Sequence, residues 1–505
     1  MTDLDVAAAL RSDAQLVVIE APAGCGKTYQ AADYARWLGE QLPIRRALIL
    51  THTHAACDVF RARAPVDARR LQVCTFDGFI TQLAAIYHQS LRLPQDVARW
   101  AIEQPQEGFA ALGELVSQLL ARSQAIRSAV VSRYPVIVCD EHQDTNAAQH
   151  RIALQLLDAG AKLRIFGDPR QAIYGTTNVE RAAHRARWQS LRERATRYES
   201  LEFPHRWTNG SRALGNWILA ARAALEAGTP IDLRGDLPQG LQLVRATNDG
   251  NRGQFRLDAE AATVRALVRQ SDSLLVLTPT QGLVDNLHSF FGRTIRIWEG
   301  HSRDALQKLS QTCADNPGNA PVLAAAACDF IQAVTTGFTA ERRQQCLREI
   351  ADGAQRARRG IPAEMQALAR CILEAPDHVG VARALQRLMF AATPQGALSS
   401  VKIDLHRELR EASRLDQFTD AVQGQAELTR RRTLVGASMP NRVISTIHKA
   451  KGLERRDVVI MPCDASTFSS TDYKRCVTYV ALSRATHSLT LVISPVRPPP
   501  FFVLN

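Results

Sequence analysis

Short apolar and β-branched runs recur along the chain, and each ends in a polar or glycine-rich cluster before a helical pattern begins. In the first part of the chain these runs are Leu16–Glu20, Ala47–Thr51, Leu71–Thr75, Val136–Asp140 and Leu163–Gly167. A similar series follows later, at Leu274–Thr278, Val443–Ile447, Asp457–Pro462 and Leu489–Ile493. Strands that alternate with helices predict parallel α/β sheets, in which ligands bind at the carboxyl ends of the strands.

Two stretches between these runs have the spacing of amphipathic helices instead. One, at about residues 82–133, interrupts the first series, and the other, at residues 302–432, is rich in Ala, Leu, Gln and Arg and interrupts the second. The pattern therefore predicts two parallel-sheet domains, each with a helical insertion. We expect the first domain to span residues 1–205 and the second to comprise residues 206–301 and 433–505.

The composition narrows the class of protein. A chain of 505 residues exceeds what one hydrophobic core usually serves, so more than one domain is expected. No run of about twenty apolar residues could cross a membrane, and no signal-type segment opens the chain, which predicts a cytoplasmic protein. The net charge of +12 suits a polyanionic partner, although an arginine-rich genome would also produce it. The ten cysteines contain no C-x-x-C pair and are expected to be reduced.

The first apolar run leads into a segment typical of phosphate-binding loops, Ala21–Thr28, with the sequence A-P-A-G-C-G-K-T. The backbone amides expected to converge on phosphate oxygens belong to Gly24, Cys25 and Gly26. Lys27 would reach the β- and γ-phosphates, and the hydroxyl of Thr28 would bind Mg²⁺. Ala21 replaces the first glycine of the usual pattern, but a strand before the loop and a helix after it support an ATP site.

Two adjacent carboxylates follow the fourth apolar run. Acids at the end of a buried strand are costly unless they hold a metal or activate water. We expect Asp140 to hold Mg²⁺ and Glu141 to orient or deprotonate the attacking water. The alternative for an isolated Asp-Glu pair is a solvated turn. Together with the phosphate-binding loop, the pair indicates an ATP hydrolase.

Five motifs follow one another along the chain: Ala21–Thr28, Asp140–Asp144, Gly167–Tyr174, Thr446–Glu454 and Tyr479–Ala485. Their identity and order resemble the UvrD/Rep/PcrA-like superfamily 1 helicases, and the resemblance extends over nearly the whole chain. It implies two RecA-like domains with helical insertions. It also implies ATP and Mg²⁺ as cofactors, and single-stranded or partly duplex DNA as the partner.

The resemblance adds further residues to the expected ATP site. Gln171 would sense the γ-phosphate, and Arg206 and Arg484 would reach it in the cleft between the two domains. An arginine in such a position is worth roughly 10³–10⁵ in rate in related hydrolases. The alternative for either arginine is a surface ion pair. Glu454 matches the position that contacts the ribose, and His205 stands where the family places an aromatic residue on adenine.

The resemblance also places single-stranded DNA on a face separate from the ATP cleft. Hydroxyls there suit phosphate oxygens and flat rings suit bases. The matching positions are Thr51, His52, Thr53, Thr75, Phe76, Tyr174, Thr446 and His448. His52 replaces the usual Phe, Thr176 stands where the family has a Trp that stacks on bases, and no glutamine precedes the ATP loop at the expected distance. We therefore expect intact motor chemistry with a weaker grip on DNA.

Finer features are similar to the helicase-like subunit of Gabija anti-phage defence systems, which works with an OLD-type nuclease. They are the residues Asp77, Gly78 and Phe79 after Thr75-Phe76, and the compact stretch Asp464–Tyr479. The resemblance implies a 3′→5′ DNA helicase or translocase that acts in defence with an OLD-family nuclease. The alternative is a regulatory subunit that senses ATP or DNA ends and controls the nuclease without processive unwinding.

Overall fold

The computed structural model describes residues 2–41, 46–64, 70–104, 108–250, 254–298, 304–434 and 440–504. These residues form two units: Met1–Leu283 together with Thr446–Asn505, and Val284–Ser445. The predicted α/β class with parallel sheets is confirmed. The exact domain boundaries stay predictions, and the one placed between residues 301 and 302 lies outside the described residues.

Elements are numbered along the whole chain. The first sheet contains β1 (Leu16–Glu20), β2 (Ala47–Thr51), β3 (Leu71–Thr75), β4 (Val136–Cys139), β5 (Lys162–Gly167) and β6 (Arg197–Ser200). All six strands are parallel and lie in the order β3-β2-β4-β5-β1-β6. The loops that follow β1, β4 and β5 therefore meet at one edge of the sheet.

Helices cover both faces of this sheet. The helices of this part of the chain are α1 (Asp3–Arg11), α2 (Lys27–Gln41), α3 (His54–Arg63), α4 (Phe76–Ile86), α5 (His88–Leu91), α6 (Val97–Glu103), α7 (Gly108–Arg122), α8 (Gln124–Arg133), α9 (Ala147–Asp158), α10 (Asn178–Arg194) and α11 (Arg212–Ala227), of which α11 packs against the later strand Ala485–Ile493 rather than against this sheet. Alternate residues of β1 serve opposite cores: Leu16 and Val18 join one hydrophobic cluster, and Val17 and Ile19 join the other. Burial on both faces explains why the strands read as unbroken apolar runs.

The remainder of the first unit adds β7 (Ile231–Asp232), β8 (Leu241–Arg245), β9 (Leu274–Thr278), β14 (Arg455–Cys463), β15 (Ala485–Ile493), β16 (Phe502–Val503), α12 (Ala261–Gln270) and α21 (Asp472–Leu482). Four of these strands are parallel neighbours in the order β9-β14-β15-β8. The proline-rich segment after β15 leads to β16, which pairs with β7.

The chain enters the second unit within α13 (Gln281–Phe290). That unit contains β10 (Arg296–Ile297), α14 (Asp304–Asp315), α15 (Ala320–Val334), β11 (Thr335–Thr336), α16 (Ala340–Ala351), α17 (Ile361–Glu374), α18 (His378–Ala391), β12 (Lys402–Ile403), α19 (His406–Ala412), α20 (Ala421–Leu434) and β13 (Arg442–Thr446). Its core is helical: Leu323, Ala327, Ile331 and Val334 are buried along one face of α15. Among the described residues, no helix is long and apolar enough to cross a membrane.

The predicted apolar runs coincide with strands, with differences at their ends. β15 begins at Ala485 instead of Leu489, and β14 extends to Cys463. The strand β6 was not predicted, because its sequence R-Y-E-S is polar and it lies at the edge of its sheet. Edge strands bury less apolar surface and therefore leave a weaker sequence pattern.

Candidate active site

Two glycines shape the loop between β1 and α2. Gly24 and Gly26 have φ angles of 76° and 86°, a region that other residues rarely adopt. A Cβ atom on Gly24 would lie 2.6 Å from the ring of Trp207, and one on Gly26 would lie 3.0 Å from the ring of His205. The loop therefore lies closely against the turn that carries these two rings, and both positions need glycine.

Lys27, the first residue of α2, lies beside the two acids that follow β4. Its Nζ contacts Glu141 and lies 3.9 Å from Asp140 Oδ1. Burial opposes the charged form, but Glu141 and Asp140 raise the pKa of Lys27 above its usual range. Lys27 is therefore a cation at the N-terminus of α2, where a helix already favours anions.

The two acids differ in their ionisation. Burial raises the pKa of Asp140 to about 6. Burial acts in the same direction on Glu141, but Lys27 and Lys451 outweigh it and lower the pKa of Glu141 to about 2. Glu141 also has a φ of 53°, an uncommon conformation that concentrates at functional sites. Because Gln143 donates to its Oε2, Glu141 is an oriented and ionised carboxylate.

Asp140 and Thr28 are the residues that would hold Mg²⁺. Asp140 is 2% exposed, and its Oδ1 accepts a hydrogen bond from the Glu141 amide at 3.0 Å. A buried carboxylate with a raised pKa is stabilised as an anion by a divalent cation, and Mg²⁺ prefers such oxygen ligands. No group of three or more His, Cys, Asp or Glu in the described ranges could hold a metal. These residues fit an ion that takes its other ligands from phosphates and water.

Hydrogen bonds continue from the acids to the end of β5. Gln143 Oε1 accepts from the Asp168 amide at 3.0 Å, and Asp168 Oδ2 accepts from Gln171 Nε2 at 2.9 Å. Arg484 Nη2 lies 3.4 Å from Gln171 Oε1. The structure thus brings Gln171 and Arg484 together, although they lie 313 residues apart in the chain.

The two predicted arginines lie close to each other but differ in their partners. Arg484 is buried and donates to the Val480 carbonyl at 2.8 Å, and burial followed by the nearby Arg206 lowers its pKa to about 10. Arg206 donates to the Ser483 carbonyl at 2.6 Å and forms an ion pair with Glu454. Arg206 thus makes an ion pair with the expected ribose contact, and the roles of these residues at the nucleotide stay predictions.

His205 lies over the amino-terminal end of α2. Its Nε2 is 2.6 Å from Asp3 Oδ2, and its ring packs edge-on against Phe203 at 4.6 Å between centroids. The ring lies beside Gly26, so its contact with an adenine stays a prediction that this location allows. Cys25 is fully buried, and burial raises the pKa of its thiol to about 12. Cys25 therefore offers the loop its backbone rather than a reactive thiol.

The predicted DNA-binding hydroxyls lie where β2 and β3 end. Thr51 and Thr75 are opposite each other in the register of these strands. Thr53 accepts from the Ala56 amide at 3.1 Å and Thr75 from the Gly78 amide at 3.0 Å, so both cap the helices that follow. Thr51 Oγ1 is buried without a hydrogen-bond partner among the described residues.

The predicted rings at this edge are of two kinds. Phe76 is 1% exposed and stacks on His52 at 5.2 Å, so as placed it supports its neighbour and does not offer a face to a base. Tyr174 is 59% exposed, and Lys451 Nζ lies 5.1 Å from the centre of its ring. Tyr174 is therefore the ring at this edge that is available for stacking.

The last two predicted DNA-binding residues lie at the end of β13 and in the turn that follows it. Thr446 Oγ1 accepts from the Lys449 amide at 3.2 Å and so caps this turn. His448 Nε2 lies 2.7 Å from Tyr473 Oη, with the two rings stacked at 6.1 Å. Their contact with DNA stays a prediction.

Several residues join the site without having been assigned from the sequence, among them Lys451, Tyr479 and Arg222. Lys451 Nζ lies 2.6 Å from both Asp144 Oδ1 and the Gln171 carbonyl. Tyr479 Oη accepts from the Ala23 amide at 2.8 Å. Lys451 and Tyr479 lie inside recognised motifs and could have been suspected, whereas Arg222 lies outside any motif.

Comparison with known protein families identifies two segments of the chain. Residues 102–180 match the family model described as the UvrD/REP helicase N-terminal domain, and residues 442–492 match the UvrD-like helicase C-terminal domain. The chain therefore contains two segments that are similar to UvrD-like helicase domains. Such domains are those of ATP-dependent DNA helicases, which are hydrolases, and the two matches support the predicted enzyme class.

Two individual proteins are similar over different extents. RecB, a subunit of the RecBCD enzyme from Buchnera aphidicola subsp. Schizaphis graminum, is 30% identical over 91 residues, which cover 18% of this chain and 8% of RecB. The crystal structure of the Pif1 helicase from Candida albicans aligns over 97% of this chain and 94% of that chain, at 13% identity and a TM-score of 0.40. The similarity to the Gabija subunit stays a prediction.

Proposed function

We propose that the protein is an ATP-dependent helicase or translocase that moves along single-stranded DNA in the 3′→5′ direction, with ATP and Mg²⁺ as cofactors. The observation that supports it best is a continuous path of polar contacts that joins the phosphate-binding loop to the last UvrD-like motif. The path runs through Lys27, Glu141, Gln143, Asp168, Gln171 and Arg484. The polarity is implied by the family resemblance.

The chemistry of this site is mainly positioning and neutralisation of charge. Lys27 and the loop amides would neutralise the phosphates, and Mg²⁺ supplies further neutralisation when bound. Glu141 is ionised and held by Gln143, so it would orient the attacking water. Gln171 touches Arg484 and would sense the change at the γ-phosphate.

Lys451 connects the ATP site to the edge where DNA is proposed to bind. On one side it contacts Asp144 and the Gln171 carbonyl, and on the other it lies over the ring of Tyr174. A shift of Gln171 on hydrolysis would therefore be transmitted through Lys451 to the exposed ring of Tyr174. This arrangement supports coupling between ATP turnover and movement on a base.

The test is ATP turnover by the purified chain with and without single-stranded DNA. We expect DNA to stimulate turnover, and Lys27→Ala to abolish it. Strand displacement on duplexes with either a 3′ or a 5′ tail then reports the direction of movement. A chain that hydrolyses no ATP under any DNA condition would contradict the proposal.

We further propose that the protein acts in the cytoplasm in anti-phage defence, with an OLD-family nuclease as its partner. Its support is the sequence resemblance around Asp77–Phe79 and Asp464–Tyr479. Co-expression with the product of the adjacent reading frame, followed by co-purification, tests the partner. Phage plating on cells with wild-type protein or Lys27→Ala tests the role. Equal plating on both would exclude a defence role that depends on ATP.

A second candidate is a regulatory subunit that senses ATP or DNA ends without processive unwinding. Two observations favour it: Phe76 is buried, and Thr176 follows Tyr174 where the family has a stacking Trp. Each lost stacking platform costs roughly 1–3 kcal/mol of binding per base. Nuclease activity that depends on ATP, without strand displacement, would support this candidate. Robust displacement by the isolated chain would argue against it.

A further inference from the structure

Arg222 reaches the candidate active site from α11, a helix without a recognised motif. Its Nη2 lies 2.5 Å from Glu20 Oε1 and 2.9 Å from Asp168 Oδ1. Its side chain is 11% exposed, and that of Asp168 is fully buried. Glu20 ends β1 and Asp168 directly follows β5, the parallel neighbour of β1. One guanidinium thus bridges two carboxylates at adjacent strand ends.

The positive charge of Arg222 is needed to neutralise Glu20 and Asp168. Burial disfavours the cation, but Asp168, Tyr479 and Glu20 outweigh burial and raise the pKa of Arg222 above its usual range. Without this cation two carboxylates would share a largely buried site, where like charges repel and at least one of them would take up a proton or move.

Asp168 carries the influence of Arg222 to the predicted phosphate sensor. While Oδ1 of Asp168 faces Arg222, its Oδ2 holds Gln171 Nε2 at 2.9 Å. A protonated or displaced Asp168 would hold the Gln171 amide less firmly, because the amide would lose its anionic acceptor. Gln171 would then be free to leave Arg484.

Tyr479 provides a second route from Arg222 to the nucleotide. The guanidinium carbon of Arg222 lies 5.9 Å from the centre of the Tyr479 ring. The hydroxyl of Tyr479 accepts the amide hydrogen of Ala23 in the phosphate-binding loop at 2.8 Å. Arg222 therefore supports both the sensor and the loop through other residues.

We propose that Arg222 is a positioning residue for ATP hydrolysis, which fixes Gln171 through Asp168 and the phosphate-binding loop through Tyr479. The inference rests on the proposed ATPase function. A merely structural ion pair would affect the stability of the fold and leave the kinetics of the folded enzyme unchanged.

The test compares Arg222→Gln, Arg222→Lys and the double variant Arg222→Gln/Glu20→Gln in full-length protein. We expect Arg222→Gln to lower kcat by about 10- to 100-fold, because a small misplacement of a catalytic group is costly, with KM for ATP changed less than about threefold. Arg222→Lys should retain more activity. The double variant should recover part of kcat, because it removes the repulsion between the carboxylates.

Arg234→Gln is the matched control, because Arg234 forms an exposed ion pair with Asp232, and its kcat should equal that of the wild type. Wild-type kcat in folded Arg222→Gln, or a raised KM with unchanged kcat, would overturn the inference. If Arg222→Gln does not fold, the same two criteria apply to the double variant Arg222→Gln/Glu20→Gln, which relieves the repulsion but still lacks the cation. Absence of turnover in the wild type would instead contradict the proposed function itself.

Discussion

Two groups of residues lie at the carboxyl ends of the same parallel sheet, but they differ in whether their polar atoms are paired. After β1, β4 and β5, charged and amide groups such as Lys27, Glu141 and Asp168 bind one another. After β2, Thr51 Oγ1 and His52 Nε2 are buried without a hydrogen-bond partner in the described part of the chain. The first group is the candidate ATP site, and the second is the candidate DNA edge.

The difference follows from the cost of leaving each kind of group unpaired. A buried ion without a partner costs several kcal/mol, so catalytic charges must be balanced inside the protein. A neutral donor or acceptor left open costs roughly 1–3 kcal/mol, and it keeps the capacity to bind a ligand. Balanced charges therefore suit a site that carries out chemistry, and open neutral groups suit a site that binds a phosphodiester.

The largest effect at the candidate ATP site is expected for Arg484→Ala. We expect kcat for ATP hydrolysis to fall by roughly 10³-fold or more, because an arginine finger contributes about this much in related hydrolases. Steady-state kinetics and direct ATP binding would be measured together, with Arg234→Ala as the control at an exposed ion pair. Arg484→Lys keeps the charge if the buried site does not tolerate alanine. Reduced affinity with an unchanged rate at saturating ATP would make Arg484 a binding residue.

Glu141→Gln tests the carboxylate assigned to the water. We expect kcat to fall by about 10²–10⁴-fold while ATP still binds, because the amide cannot accept the proton. Glu114→Gln, a substitution at a half-exposed ion pair with Arg151, is the matched control. If Glu141→Gln turned over ATP like the control, the water would be oriented by another residue.

Thr51→Val tests the candidate DNA edge. We expect affinity for single-stranded DNA to fall by about 10- to 100-fold, because a hydrogen bond to a charged phosphate is lost, while ATP turnover without DNA is unchanged. Thr490→Val is the control, since Thr490 Oγ1 on β15 is also buried without a partner in the described ranges but lies within a strand. Equal DNA affinity in both variants would remove Thr51 from the interface.

His142 and His150, near the candidate DNA edge, predict that the stability of the fold depends on pH. Burial, followed by Arg187, lowers the pKa of His150 to about 4, and its Nδ1 lies 3.0 Å from His142 Nε2. The other charged or titratable neighbours that lower it are Arg194, His184 and Arg151. In the unfolded state His150 takes up a proton near pH 6.5, whereas in the folded state it does so only near pH 4. The free energy of unfolding therefore falls as the pH drops from 6.5 towards 4.

We expect the wild type to lose about 2 kcal/mol more unfolding free energy between pH 7 and pH 5 than His150→Gln loses. Urea unfolding at the two pH values measures this difference, and His88→Gln on α5 serves as the control. The same loss in His150→Gln and the wild type would show that His150 is not the group that titrates.

The order along the chain of the buried strands, and the identity of the phosphate-binding loop, could be read from the sequence. Buried parallel strands such as β1, β2 and β9 consist of contiguous apolar residues, and a loop that binds phosphate needs glycines and a lysine at fixed spacing. These are local requirements. A pattern of a few residues that are close in sequence therefore suffices to recognise them.

Contacts between distant segments were decided only by the tertiary structure. The bridge from Arg222 to Glu20 and Asp168, the bond from Ala23 to Tyr479, and the burial of Phe76 leave no local pattern. Their physical basis is the burial of charge and ring surface between segments that are far apart in the chain. The sequence alone determined which residues are proposed to bind and hydrolyse a nucleotide, and the fold determined which of their charges are paired and which polar groups have no partner among the described residues.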